Sequence, residues 1–212
     1  MPKEEYSVVS DLISPNRFLS MTITNASRES VDQSLQTVLS RIKPHRFRRV
    51  PAPLHLQEIY DIEPPAGGAH AFKLVIYTPT QFPGGCVLIT NLADGWNSLA
   101  YLIAREHQQF QVQVISTRSG AEYPQNLIKV WRNGQCTRTV MAMRDSDKWV
   151  FLSDGELESC GGKLLYKNRI KKDRLDRQSI IRYLGKIGWN IANKSFWQAE
   201  GEAFYYEEVR KR

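Results

Sequence analysis

From Gly84 to Thr117 the chain reads CVLITNL, then ADGWNSLAYLIAREHQQ, then FQVQVIST, and this stretch restricts the fold more than any other. The first run is apolar almost without a break, the pattern of a strand covered on both faces. Asp94 stands where an N-cap belongs, its carboxylate able to accept from an orphan amide of a first helical turn. Trp96, Leu99, Ala100 and Ile103 follow at helical spacing and define a stripe that must be buried. Phe110, Val112 and Val114 then alternate with Gln111 and Gln113, which predicts a strand with one wet face. The unit is a scaffold of strand, helix and strand.

Taken in order, the chain shows the same kinds of element on either side of this unit. Residues 1–15 read as a loose lead-in. Arg17 to Thr24 predicts a strand. Ser30 to Ile42 predicts a helix with Val31, Leu35, Val38, Leu39 and Ile42 on one face, capped by Ser30 with Gln33 or by Ser27. Short strands are expected over 47–50, 54–62 and 71–78. After the central unit, Leu127 to Arg132 and Gln135 to Met143 flank Asn133-Gly134, a dipeptide that favours a type I′ turn and so predicts a hairpin. With a regular two-residue loop, Lys129 faces Arg138 across that hairpin, and Arg144 lies on the same side by parity. Lys148 to Ser153 predicts another strand. A helix is expected over 174–187 with Asp173 as cap and Gly188 as C′ residue, then a final strand near Ala203 to Val209.

These elements predict an α+β protein with a largely antiparallel sheet and three main helices, about 30–42, 94–107 and 174–187. Residues 1–160 read as the body, and 161–212 as a basic helix and an aromatic segment packed onto it. Residues 17–78 and 84–143 share an order of elements, and ITN closes the first strand of each. That is the mark of two pseudo-symmetric, duplicated halves, or a chance match of three residues.

A chain of 212 residues with 42% apolar side chains can bury a sizeable core. MPKEEYSVVSDLISP has no apolar h-region, so no secretory signal is expected. Cys86, Cys136 and Cys160 are too widely spaced for a disulfide framework or a zinc knuckle, and read as reduced thiols in the cytoplasm. A net charge of +7 fits an anionic partner, either nucleic acid or an acidic protein surface.

No catalytic pattern stands out. His45, His55, His70 and His107 lack metal-ligand spacing, and the chain has no HExxH, CxxC, GxSxG, Walker loop or dinucleotide fingerprint. No catalytic residue, metal ligand or cofactor is therefore assigned, although a site assembled from distant residues stays open. Three basic runs, 41–49, 167–174 and 210–212, supply a nucleic-acid reading through Arg46, Arg48, Arg49, Lys167, Arg169, Lys171 and Lys172. The protein-binding reading uses Lys129, Trp131, Arg138, Arg144 and Trp149 around one hairpin, because Trp and Arg are enriched at interface hot spots. The three cations would steer an acidic partner, unless Glu156 and Glu158 neutralise them.

NLADGWNSLA, followed by RTVMAMRDSDKWVFLSDGELE, resembles bacterial immunity-type proteins, the inhibitors in polymorphic toxin/immunity pairs. The likeness rests on an arginine-led strand, the W-x-F strand of Trp149 to Phe151, and the Gly155 turn followed by Glu156 and Glu158. It implies a cytoplasmic, non-catalytic protein that binds one protein partner, a cognate toxin.

Overall fold

A computed structural model describes residues 13–14, 18–42, 47–56, 73–92, 94–118, 120–155 and 168–209. Its elements are β1 (Leu19–Thr24), α1 (Arg28–Ile42), β2 (Phe47–Ala52), β3 (Lys73–Tyr77), β4 (Cys86–Thr90), α2 (Asn97–His107), β5 (Gln111–Ser116), β6 (Gln125–Arg132), β7 (Gln135–Asp145), β8 (Lys148–Gly155), α3 (Arg177–Lys186) and β9 (Ala203–Glu208). The nine strands form one antiparallel sheet in the order β2-β9-β3-β4-β1-β5-β6-β7-β8. The strand expected over 54–62 lies largely outside the described residues, and 53–56 form no strand.

Helices lie on both sides of the sheet. On one side Val31, Leu35 and Leu39 of α1, with Leu99 and Ile103 of α2, pack on Leu74, Ile76, Cys86, Leu88 and Tyr206. On the other, Ile180, Tyr183 and Leu184 of α3, with Trp189, Ile191, Phe196 and Trp197, cover the alternate residues of the same strands. This explains why CVLIT is apolar throughout: all five residues of β4 are buried, as strand alternation demands when each face meets a helix layer.

Three local expectations are corrected. Asp94 does not cap α2; its Oδ1 accepts from Trp96 N at 2.9 Å in a turn, and the helix starts at Asn97 after Trp96 at φ 49°. The helix near 174–187 begins at Arg177, because Asp176 rather than Asp173 accepts from Ser179 N, at 2.7 Å. The wet face of β5 is dry. Gln111 and Gln113 are fully buried and donate to the Ala100 and Gly95 carbonyls at 2.7 and 3.1 Å. A glutamine amide can replace water by bonding helix backbone, so polar alternation does not require solvent.

The C-terminal segment belongs to the core. Gly188, at φ +96°, ends α3 in a Schellman motif: Gly188 N donates to Gly185 O at 3.2 Å and Trp189 N to Leu184 O at 2.8 Å. Thr80 N to Gln198 O (2.8 Å) and Glu200 N to Thr78 O (2.7 Å) then clip the chain to the loop before β4. Finally β9 inserts between β2 and β3. Phe196 is fully buried, so Phe196→Ala should lower the unfolding free energy by about 3–5 kcal/mol. A urea titration showing an unchanged midpoint would contradict this placement.

Candidate protein-docking face

The Asn133-Gly134 turn has both φ angles positive, 50° and 74°, as a type I′ turn requires. The ladder above it is not regular. Trp131 pairs with Cys136 but Val130 pairs with Arg138, so Thr137 is an extra residue, a β-bulge. Gly155 lies against that bulge, where a Cβ would stand 2.0 Å from the Thr137 carbonyl oxygen. Only glycine fits there.

The bulge redistributes the residues expected to form one binding surface. Lys129 faces Thr139, not Arg138. It and Trp131 point to the α2 side, where Lys129 Nζ donates to Asn97 Oδ1 at 2.8 Å and Trp131 packs under Ala100 and Ala104. Arg138 emerges on the α3 side and is buried. Its guanidinium donates to the Gly155 carbonyl (2.8 Å), the Asp154 carbonyl (3.3 Å) and Ser153 Oγ (2.8 Å), tying β7 to β8. Arg144 and Trp149 are cross-strand partners on that same side. Trp149 packs against the core, while Arg144 is exposed and lies 3.7 Å from Asp147. One-residue slips exchange sheet faces, which is why the five do not share a surface.

The nucleic-acid residues are also dispersed. Arg48 pairs with Glu207 at 3.0 Å, and Arg49 with Asp32 at 2.8 Å while stacking on Phe204. Asp32 further accepts from Tyr206 Oη and Gln36 Nε2; burial, then the Asp32 carboxylate, holds the Tyr206 phenol well above its ordinary range. This network joins α1 to β2 and β9. Arg169, Lys171 and Lys172 are exposed. Arg46, Lys167 and residues 210–212 lie outside the described residues.

No group of three or more His, Cys, Asp or Glu side chains among the described residues could hold a metal. His107 Nε2 lies 3.0 Å from Ser34 Oγ, but Ser34 is buried between α1 and α2 and unreachable by a substrate. Burial pushes the Cys86 thiol far up, so it stays protonated. A cleft of about 440 Å³ beside the start of α3 contains Arg177, whose guanidinium is engaged by the Ser116 and Thr117 carbonyls and Ser116 Oγ.

What the sequence reading missed is a sheet face over β7 and β8 that no helix among the described residues covers. On the α1/α2 side, β5 is roofed by α2, but β7 and β8 extend beyond it. Leu127, Met141 and Leu152 form one row across β6, β7 and β8, and Gln125, Met143 and Val150 the next. None of these apolar side chains joins a core cluster among the described residues, although Leu127 is buried and Met141 and Met143 are half-buried. Val150 is 38% exposed and Leu152 44%, with Tyr101 of α2 46% exposed. The signal in sequence was that W-V-F-L is apolar at both parities, whereas an edge strand with one solvated face should alternate. Comparisons with family models, curated proteins and solved structures find no match to this chain.

The burial difference separates the two arginines. Arg138→Ala removes a buried guanidinium and its bonds to the Asp154 and Gly155 carbonyls and Ser153 Oγ, and should cost about 1–3 kcal/mol, whereas Arg144→Ala should change stability by about 0.5 kcal/mol or less. Equal effects in chemical denaturation would refute the assignment of Arg138 to the inside.

Proposed function

We propose that this protein acts without catalysis, by binding another protein through the α1/α2-side face of β7 and β8. The observation that supports this is the pair of rows ending at exposed Val150 and Leu152, which no helix among the described residues covers on this side. A hydrophobic surface beside polar residues is the usual core of a protein interface. Methionines suit it, because their flexible thioethers adapt to a partner's shape.

The partner in this reading is a cognate toxin that the protein neutralises in the cytoplasm, as the resemblance of 91–100 and 138–158 implies. A reducing compartment fits the free and exposed thiol of Cys136. Electrostatics take a different part from the one expected. Arg144 and Lys148 stand among Asp145, Asp147 and Asp154, all exposed, so mixed charges would orient the partner rather than select an acidic one.

Affinity purification from the native organism, with the neighbouring coding region recorded, tests this. A stoichiometric protein partner should be recovered with the unaltered chain and lost with Val150→Lys and Leu152→Lys together. Those changes should weaken binding about thirtyfold or more, the cost of removing a hot spot of about 2 kcal/mol. Recovery of no partner, or of one indifferent to both substitutions, overturns the proposal.

A further inference from the structure

A set of polar atoms that the fold leaves unexplained lies beneath the start of α2. Met21 and Ile23 of β1 and Val112 and Val114 of β5 belong to the α3-side core. Strand alternation therefore turns Ser20, Thr22, Gln111 and Gln113 to the α1/α2 side, and each is no more than 1% exposed. Ser20 Oγ, Thr22 Oγ1, Gln111 Oε1 and Gln113 Oε1 have no hydrogen-bond partner among the described residues. They are neighbours in the ladder: Thr22 lies opposite Gln113, with Ser20 and Gln111 on the adjoining levels. A Cβ on Gly95 would stand 2.7 Å from Ser20 Oγ and 2.9 Å from Gln113 Nε2, so one turn roofs both.

Turning the amides over does not satisfy the two carbonyl oxygens. Gln111 Nε2 donates to the Ala100 carbonyl at 2.7 Å and Gln113 Nε2 to the Gly95 carbonyl at 3.1 Å. A reversed amide would set oxygen against oxygen at both places. The hydroxyls of Ser20 and Thr22 each carry a proton to give, yet none of the four atoms bonds another. Neighbouring strands stand about 4.8 Å apart. Polar tips on adjacent strands that miss a direct bond are at the spacing one small bridging molecule spans.

We infer that these four oxygens form an internal hydration site, in which water donates to the Gln111 and Gln113 carbonyls and accepts from the Ser20 and Thr22 hydroxyls. Two amide oxygens need donors and two hydroxyls need acceptors, and water supplies both. Buried waters make about three hydrogen bonds each to such groups. Other ligand classes fit worse. An anion would face two carbonyl oxygens. A metal cation would stand near Lys129, which lies opposite Gln113 and whose ammonium reaches Asn97 Oδ1 at 2.8 Å. An apolar ligand would leave all four atoms unbonded. The start of α2 is thus seated on the sheet partly through solvent, at a place apart from the docking face of β7 and β8.

A crystal structure of the full chain, at a resolution that shows ordered solvent, tests this directly. A water within hydrogen-bond distance of both Thr22 Oγ1 and Gln113 Oε1 is expected. Thr22→Val keeps the side-chain shape and removes the hydroxyl, and urea denaturation then reads the site in solution. An unbonded hydroxyl predicts a more stable valine variant, because a buried polar atom without a partner is removed. A hydrated hydroxyl predicts a folding equilibrium constant about three- to tenfold smaller. A dry site, a metal ion in the density, or a valine variant at least as stable as the unaltered chain would each overturn the inference.

Discussion

β1 hydrogen-bonds to β4 on one side and β5 on the other, and every residue of all three strands is buried. Covering both faces of this centre sets the positions of the remaining elements. The α1 and α2 helices follow β1 and β4 onto one face. The opposite face waits for α3 and the aromatic segment, more than sixty positions beyond β5. On the α1/α2 side, among the described residues, helical cover lies over the centre and the β9 side and stops short of β7 and β8. Val150 and Leu152 are exposed at that end.

Buried polar groups beneath α2 are the cost of this arrangement. Gln111 donates to the Ala100 carbonyl of α2 and Gln113 to the Gly95 carbonyl just before it, yet their Oε1 atoms, with Ser20 Oγ and Thr22 Oγ1, have no partner among the described residues. Without internal water, each such atom forfeits the hydrogen bond it would make in bulk solvent. Gly95 crosses directly above, where a Cβ would lie 2.7 Å from Ser20 Oγ. The helix thus approaches the sheet closely at its start, which locks α2 in place but leaves no room to shift over β7.

Much of this was legible from spacing alone. The apolar CVLIT run, the Asn133-Gly134 turn and Gly188 at the end of α3 each carry a local physical signature, and the structure places each as expected. The failures share one cause. A bulge at Thr137 is decided by Gly155 on a different strand, and the burial of Gln111 and Gln113 by a helix that passes over them. Neither can be read within a window of ten residues. The face of β7 and β8 was overlooked because a count of apolar residues says nothing about whether a cover exists.

The position of β9 also sets a clock on folding. Arg48 of β2 and Glu207 of β9 are 159 positions apart, and at about 5–20 residues per second a ribosome needs roughly ten to thirty seconds to supply the second after the first. Throughout that interval β2 lacks the β9 neighbour it pairs with, and β3 has a bare flank where β9 will sit. A nascent chain must hold those edges apart from each other and from foreign strands, although pairing them directly would satisfy both. Late insertion of one strand between two older ones makes premature closure the characteristic error of this topology. It also gives a holding chaperone a defined task on an otherwise ordinary sheet.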